Sequence, residues 1–298
     1  MSNQARGDLA REGMAREELI HRLEKEALEI RKDLLELCSQ QLIHIGGDLS
    51  VADVMTALWR YQMRYDPENP KDEARDRFVL SKGHAAAVTS FNQAAIGCYD
   101  KADIYREYAQ DNGRFAMHSC NLINPHVEVS TGSLGHGMPV AAGIAQALRL
   151  KGNTVSRVYA VMGDGEQGEG SVWEAVMNAA HSRLGNLIGI IDCNKLGFDG
   201  PLSEITGLGD LADKYRVFGW NVVELNGNAM EEVVDALDHL PPTDFDKPTV
   251  LVCHTVKGHG VSFMENQVKW HAGKLSEENR DEAIAELEAA YAKKWGNN

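Results

Sequence analysis

The sequence predicts an α/β protein with a doubly wound, mostly parallel β-sheet that carries helices on both faces. From residue 157 onward, short apolar runs typical of buried strands alternate with stretches whose apolar residues recur every three or four positions, as in helices. Strands that alternate with helices favour a parallel sheet covered on both faces. Glycine-rich polar segments follow some of these runs, and ligands of such folds bind beyond the C-terminal ends of the strands.

The individual elements can be predicted in chain order. Apolar side chains spaced by three and four predict a helix over residues 15–40. A second helix is predicted after Ser50, a residue type that commonly caps helix N-termini. The further elements are strand 77–80, helix 85–97, helix 138–150, strand 157–162, helix 171–182, strand 187–192, helix 208–218, strand 221–225, helix 230–240, strand 249–254 and a charged helix 277–294. We expect one domain over residues 1–298, with an N-terminal helix and a C-terminal helical extension.

Composition and charge exclude several classes of protein. The 298 residues carry a formal net charge of −14, which argues against a nucleic-acid-binding protein. No apolar run approaches the ~20 residues that span a membrane, and the charged N-terminus lacks a signal sequence. The five cysteines are odd in number and form no CxxC pair, which is typical of reduced thiols. We therefore expect a cytoplasmic protein that binds neither nucleic acid nor membranes.

An irregular segment over residues 113–137 interrupts this pattern. It has no helical or strand period, contains apolar residues, and includes His118, His126 and His136. Loops this long in compact domains tend to be functional or disordered, and the composition here favours a functional loop.

Polar residues follow two predicted strands, and they suggest a metal site. The turn Gly163-Asp164-Gly165 follows the strand that ends at residue 162, and Asn194 follows the strand that ends at residue 192. Carboxylate, amide and backbone carbonyl oxygens are hard ligands of the kind that Mg²⁺ or Ca²⁺ takes, and Mg²⁺ commonly recruits phosphate oxygens as well. Glycines let backbone amides approach phosphates closely. A diphosphate bridged by a divalent cation fits these tips, although a GDG triplet alone is also a common tight turn.

Five motifs in order extend this interpretation to a family. They are IHIGGDLSVADVMTALW, RDRFVLSKGHAA, HVEVSTGSLGHGMPVAAGIA, GDGEQGEGSVWEA with NLIGIIDCNKLGFDG, and HTVKGHGVSFMENQVKWHAGKL. GDG followed after about thirty residues by an asparagine pair resembles the thiamine diphosphate signature, with Cys193 in place of the first asparagine. Over roughly residues 10–280 the chain resembles the cofactor-binding domain of transketolases.

The resemblance implies roles for particular residues. Asp164, Asn194 and the backbone carbonyl of Leu196 would hold Mg²⁺, or Ca²⁺, which in turn holds the diphosphate of thiamine diphosphate. The segment 132–134 would pass the aminopyrimidine ring. The residues implied around the cofactor are Gly132, Ser133, Leu134, Gly163, Asp164, Gly165, Glu166, Asn194, Lys257 and His271.

The eleven histidines divide by position. Those implied to line the channel to the reacting carbon of the cofactor are His44, His84, His118 and His271. Imidazole suits this task because its nitrogens donate, accept and transfer protons near neutral pH. His136 stands where the family often has glutamine, and His126 and His259 lack a clear match. Glu169 corresponds to a glutamate that lies between the two active sites of a dimer.

The implied reaction is transfer of a two-carbon ketol unit from a ketose or its phosphate to an aldose or its phosphate. The alternatives are a deoxyxylulose phosphate synthase-like enzyme, the α chain of a 2-oxo acid dehydrogenase, and a non-catalytic domain that binds partners. SKGHAA and TVKGHG speak against the dehydrogenase chain. Pentose phosphates are the default substrates, and a branched or sulfonated sugar is the alternative.

A second subunit is also expected. Transketolases of full length carry a pyrimidine-binding domain and a C-terminal domain, and no part of this sequence matches either of them. We expect both domains on a separate chain, in a heterotetramer with two copies of each chain, and no activity without that partner.

Overall fold

The structure, a computed structural model, describes residues 14–296. Within them, five strands form one sheet in the order β1-β2-β3-β5-β4, and every neighbouring pair is parallel. The strands are β1 (Arg77–Leu80), β2 (Val158–Gly163), β3 (Leu187–Cys193), β4 (Asn221–Asn226) and β5 (Thr249–His254). The predicted parallel α/β sheet is confirmed.

Helices connect and cover these strands. They are α1 (Arg16–Gln40), α2 (Ile45–Ala57, continued by a π-helical turn over Leu58–Gln62), α3 (Ala86–Ala95), α4 (Lys101–Glu107), α5 (Gly137–Leu150), α6 (Gly170–His181), α7 (Leu202–Ile205), α8 (Leu211–Val217), α9 (Met230–Asp238) and α10 (Glu277–Trp295). The short helices α4 and α7 were not predicted, because so few residues do not establish an apolar period. No helix among residues 14–296 is long and apolar enough to cross a membrane.

Alternate strand residues enter two separate cores, as expected for a sheet covered on both faces. On β2, Tyr159 and Val161 belong to the core formed with α1, α2, α3, α9 and α10. Val158 and Ala160 point to the other face and pack with α5, α6 and α8. The strands are therefore rigidly held, and their C-terminal tips form a fixed platform.

The predicted N-cap at Ser50 is wrong. The helix α2 begins at Ile45, and Ser50 lies buried inside it. Its hydroxyl donates to Asp192 Oδ2 at 2.6 Å and also lies 3.1 Å from the carbonyl oxygen of Gly47. The start of α2 is not apparent from the sequence, because Gly46 and Gly47 lie in its first turn and glycine is unfavourable in helices. Ser50 therefore bonds to Asp192 near the C-terminal end of β3 and does not cap a helix.

The segment 113–136 contains no helix or strand, as predicted, but it is anchored to the body of the domain. Tyr65 Oη lies 2.9 Å from His126 Nδ1, and Gln93 Nε2 donates to the carbonyl of His126 at 2.8 Å. Thr131 Oγ1 donates to the carbonyl of Leu80 at 2.6 Å, at the end of β1. These anchors hold the loop across the C-terminal edge of the sheet.

Close packing of α5 on the turn after β1 gives a test of this architecture. An alanine β-carbon at Gly137 would lie 2.5 Å from Ser81 Cα, so Gly137→Ala must displace backbone and should destabilise the fold by roughly 1–3 kcal/mol. Gly143→Ala in the same helix is the matched control. Nothing lies within 4 Å of its added β-carbon, and it should be neutral or stabilising by up to about 1 kcal/mol. Urea unfolding measures both, and equal stabilities would contradict the packing described.

Candidate active site

The tips of β2 and β3 bring Asp164 and Asn194 together. Gly163 is paired with Asp192 in the parallel ladder, so the two strands end at the same level. Asp164 Oδ1 accepts from the Gly165 amide at 2.8 Å, and Oδ2 accepts from the Lys195 amide at 2.5 Å. The Asp164 carboxylate is therefore buried and fixed between both tips.

The Asn194 side chain is held in an equally definite position. Its Oδ1 accepts from the Leu196 amide at 3.1 Å, and its Nδ2 donates to Asp192 Oδ2 at 3.1 Å. Asp192 is fully buried and also pairs with Lys82 Nζ at 2.5 Å. Neither Lys82 nor Asp192 was identified from the sequence as a functional residue. In the sequence, the pair is marked only by a lysine that follows β1 and an acid near the end of β3.

Glu166 joins the glycine-rich turn to two other motifs. Its Oε1 accepts from the Ser81 hydroxyl and, at 2.8 Å, from the Gly135 amide, and its Oε2 accepts from the Gly163 amide at 3.1 Å. The Glu166 side chain is buried and ties the turn to the other two motifs. The Gly165 amide is likewise engaged, by Asp164.

The segment 132–134 lies directly over the turn that follows β1. A β-carbon on Gly83 would lie 2.9 Å from the Gly132 amide nitrogen, so both backbones approach closely. Gly135, next to this segment, has φ of 84°, and a β-carbon there would lie 2.6 Å from Glu169 Cβ. Glycine is required at this position both for its conformation and for the contact. Ser133 and Leu134 complete the segment between these two close approaches.

Four of the predicted site histidines form a cluster from four separate segments. The His44 ring centroid lies 5.5 Å from that of His84, 5.5 Å from that of His118 and 5.7 Å from that of His271. His84 and His271 are 5.3 Å apart. The buried Nδ1 of His44 has no hydrogen-bond partner among the described residues. The structure therefore brings together the four histidines that the sequence singled out.

Lys257 connects this cluster to the metal-binding candidates. Its Nζ lies 2.8 Å from His271 Nδ1 and donates to the carbonyl oxygens of Leu196 at 3.0 Å and Gly197 at 3.1 Å. Its side chain is almost completely buried. Leu196 therefore links the two sides of the site, since its amide donates to Asn194 Oδ1 and its carbonyl accepts from Lys257.

Burial and neighbouring positive charges lower the pKa values of several basic groups in the site. Burial, with neighbouring charges, lowers the pKa of His44 to about 4 and that of His271 to about 3. Burial and the Lys82 ammonium hold the pKa of His84 well below its ordinary value. The same two causes lower the pKa of Lys257 to about 8. The imidazoles of His44, His84 and His271 are therefore neutral at neutral pH, each with one donor and one acceptor nitrogen.

The acidic side shows the opposite shift. Burial, followed by the neighbouring Asp192 carboxylate, raises the pKa of Asp164 to about 6. Burial also raises the pKa of Glu166, although hydrogen bonds to it act in the other direction. A divalent cation beside Asp164 and an anion beside Lys257 would each relieve one of these shifts. No cluster of three or more His, Cys, Asp or Glu side chains suited to a metal occurs between residues 14 and 296.

The other histidines lie apart from the cluster. His136 is exposed at the start of α5, and His126 hydrogen-bonds Tyr65. His259 lies near Glu265, with 3.5 Å between Nδ1 and Oε1. Glu169 is exposed immediately before α6.

The chain matches the family described as "Transketolase, thiamine diphosphate binding domain" over residues 34–294. It is 40% identical over 273 residues to a subunit of the apulose-4-phosphate transketolase of Phocaeicola vulgatus, covering 90% of this chain and 94% of that protein. It is 36% identical over 267 residues to the 6-deoxy-6-sulfo-D-fructose transketolase subunit SqwG of Clostridium sp., covering 89% and 96%. A solved structure, the transketolase of Leishmania mexicana, aligns with a TM-score of 0.80 and 29% identity over 92% of this chain and 41% of that chain.

The chain therefore belongs to the transketolase family, and the matched domain is one that binds thiamine diphosphate. More particularly, it corresponds over almost its whole length to transketolase subunits that form separate chains. The prediction of a transketolase-family subunit is confirmed.

The depressed pKa of His84 leads to a testable dependence of stability on pH. The folded-state pKa lies well below the ordinary 6.5, so the unfolded chain binds a proton that the folded chain does not. Stability from this group is complete above pH 6.5 and decreases as the pH falls. His84→Asn should therefore lose less stability than the wild type between pH 6.5 and pH 5, by up to about 2 kcal/mol.

Chemical unfolding at both pH values measures this difference. His181→Asn, near the end of α6 and away from the histidine cluster, is the control and should follow the wild type. A His84→Asn curve parallel to that of the wild type would contradict the buried, neutral imidazole.

Proposed function

We propose that this chain is the cofactor-binding subunit of a two-subunit transketolase that transfers a two-carbon ketol unit from a ketose to an aldose. One observation carries the proposal. Asp164 and Asn194, at the ends of β2 and β3, lie next to a basic cluster around Lys257. A cation bound to a diphosphate has the charge distribution that matches this pair.

The cation is assigned to Asp164, the Asn194 amide oxygen and the Leu196 carbonyl. All three are hard oxygen donors, and they suit Mg²⁺, with Ca²⁺ as the alternative. Support comes from the Asp164 carboxylate, which is buried beside a second acid and, within residues 14–296, accepts hydrogen bonds from backbone amides only. Because Lys257 shares the Leu196 carbonyl, cation and ammonium would lie close to one another around a bound diphosphate.

Thiamine diphosphate supplies the chemistry that breaks and forms a carbon–carbon bond next to a carbonyl. Lys257 and His271 are assigned to its diphosphate oxygens. The backbone from Gly132 to Leu134 is assigned to the ring end, and Gly163, Gly165 and Glu166 to the support of the metal-binding turn.

The histidine cluster is assigned to the sugar. His44, His84, His118 and His271 present imidazoles that can hydrogen-bond hydroxyl groups and transfer protons. The buried Nδ1 of His44, which has no partner within residues 14–296, can accept or donate one of these bonds. Sugar phosphates, by default pentose phosphates, are the proposed substrates. The names of the two relatives contain apulose-4-phosphate and 6-deoxy-6-sulfo-D-fructose, so a branched or a sulfonated sugar is the alternative.

A second subunit is proposed to complete the site. Large apolar side chains are exposed on loops that contribute to the site: Leu122 is 89% exposed and Phe198 is 66% exposed. The Phe198 ring contacts that of His271, with centroids 5.1 Å apart, so this exposed surface adjoins the cluster. We assign it to a partner that carries the pyrimidine-binding and C-terminal domains, in a heterotetramer. The names of the two bacterial relatives, each of which is one chain of a transketolase with several, support this assignment.

Asp164→Ala tests the metal assignment. It should weaken Mg²⁺ and thiamine diphosphate binding together, by at least about 100-fold for the cation, because each ligand completes the site of the other. Asp199→Ala, an exposed acid in the following loop, is the control. Because the pKa of Asp164 is about 6, the ionised fraction of this ligand falls about fivefold from pH 6 to pH 5, and cation affinity of the wild type should fall by about the same factor.

Calorimetry on the assembled enzyme, with and without chelator, measures these affinities. Unchanged cofactor affinity in Asp164→Ala would show that the cation lies elsewhere.

Partner dependence is tested by reconstitution. The purified chain should show no ketol transfer by itself, because the surface beside the histidine cluster lacks its cover, and adding the second chain should restore turnover. Each chain assayed alone is the control for the other. Turnover by this chain without any partner would contradict the proposed division of the enzyme between two chains.

A further inference from the structure

Asp192 lies at the point where several site segments meet. Its Oδ2 accepts from Lys82 Nζ at 2.5 Å, Ser50 Oγ at 2.6 Å and Asn194 Nδ2 at 3.1 Å. Its Oδ1 accepts from Thr255 Oγ1 at 2.5 Å. The side chain has no exposed surface, and its four donors come from four different segments of the chain. Such a carboxylate fixes the groups that donate to it.

These contacts leave the Asn194 amide one orientation. A carboxylate paired with an ammonium accepts hydrogen bonds, so the end of the amide that faces Asp192 must be the NH₂ group. The Leu196 backbone amide can only donate, so the end that faces it must be the oxygen. A reversed amide would place two donors opposite each other at one end and two acceptors at the other.

The same pair is attached to the histidine side of the site. Lys82 Nζ donates to the carbonyl of Gly47 at 3.0 Å, in the first turn of α2. His44 immediately precedes that helix, and Lys82 itself lies two residues before His84. Displacement of the Lys82–Asp192 pair would therefore disturb both the Asn194 tip and the histidine cluster.

We propose that Asp192, ion-paired with Lys82, is a positioning residue that holds the Asn194 side chain with its amide oxygen turned toward the divalent cation. The proposal rests on the proposed function, because it takes Asn194 as a ligand of a cation bound together with a diphosphate. Asp192 itself does not bind the cation but acts through the orientation of the amide.

Two substitutions separate orientation from charge and from general structure. Asp192→Asn removes the negative charge but keeps an acceptor, since its amide oxygen can face Lys82 and Asn194 while its NH₂ faces the Thr255 hydroxyl. The paired variant Lys82→Met with Asp192→Leu removes the acceptor and leaves no unpaired charge, a replacement that buried ion pairs often tolerate.

The measurement is Mn²⁺ binding to the full chain in the presence of inorganic pyrophosphate, followed by the electron paramagnetic resonance signal of free Mn²⁺. The paired variant should weaken Mn²⁺ binding by about tenfold or more. Asp192→Asn should stay within about twofold of the wild type, because an amide oxygen accepts as a carboxylate oxygen does. When Asn194→Ala is already present, the paired substitution should add less than about twofold.

A matched control uses another buried ion pair of the domain. Arg31 donates to Asp53 at 2.9 Å and 2.6 Å, and Asp53 also accepts from Asn228 Nδ2 at 3.1 Å, so the surroundings are similar. Arg31→Met with Asp53→Leu should leave Mn²⁺ affinity unchanged. Urea unfolding of every variant shows which of them are folded.

The outcomes are distinct. Equal losses in Asp192→Asn and the paired variant would overturn the proposal, because charge rather than orientation would then set the affinity. The proposal would also be overturned if the paired substitution reduced Mn²⁺ affinity as strongly in the Asn194→Ala background as in the wild type. If the paired variant does not fold, Asp192→Asn decides alone. A Mn²⁺ affinity of this variant equal to that of the wild type supports the proposed orientation, and a reduced Mn²⁺ affinity refutes it. Absence of Mn²⁺ binding by the wild type would refute the proposed metal site as well, which the other outcomes leave intact.

Discussion

The parallel pairing of β2 with β3, in which Gly163 lies opposite Asp192, is the constraint on which the site depends. Since parallel strands end at one edge, residues that follow them meet there. The strands β1, β2, β3 and β5 are neighbours in the sheet, and each is followed by one of the segments that build the site. A slip of one residue in any ladder would turn the tip side chains to the opposite face. The two cores on either side of the sheet hold this register in place.

The site holds buried groups of like charge close together, and this has an energetic consequence. Asp164 lies beside Asp192, and Lys257 lies near Lys82, so that with burial the pKa of Asp164 rises to about 6 and that of Lys257 falls to about 8. These groups are strained electrostatically without a ligand. A cation on one side and an anionic diphosphate on the other would remove both repulsions at once, which couples the two binding events. Under the proposed assignment, binding of either ligand would therefore favour binding of the other.

Local patterns in the sequence predicted the sheet and the two tips, because strand periodicity and the polar residues that follow are properties of short segments. The histidine cluster came from the family resemblance, since spacing alone cannot bring His44 and His271 together. The ion pair of Lys82 with Asp192 joins residues 110 positions apart and has no local signature beyond polar residues next to apolar strands. Ser50 was misread as a helix cap because its partner, 142 positions away, is equally invisible in the sequence.

The most direct test is the position of the cation in the assembled enzyme, crystallised with its partner chain, thiamine diphosphate and Mn²⁺ in place of Mg²⁺. Anomalous scattering at the manganese edge locates the ion without assumptions about its ligands. We expect one manganese peak per copy of this chain, about 2.1 Å from an oxygen of Asp164, the Asn194 amide oxygen and the Leu196 carbonyl. A fully occupied cofactor with the manganese bound elsewhere, or with no manganese between Asp164 and Asn194, would contradict this assignment.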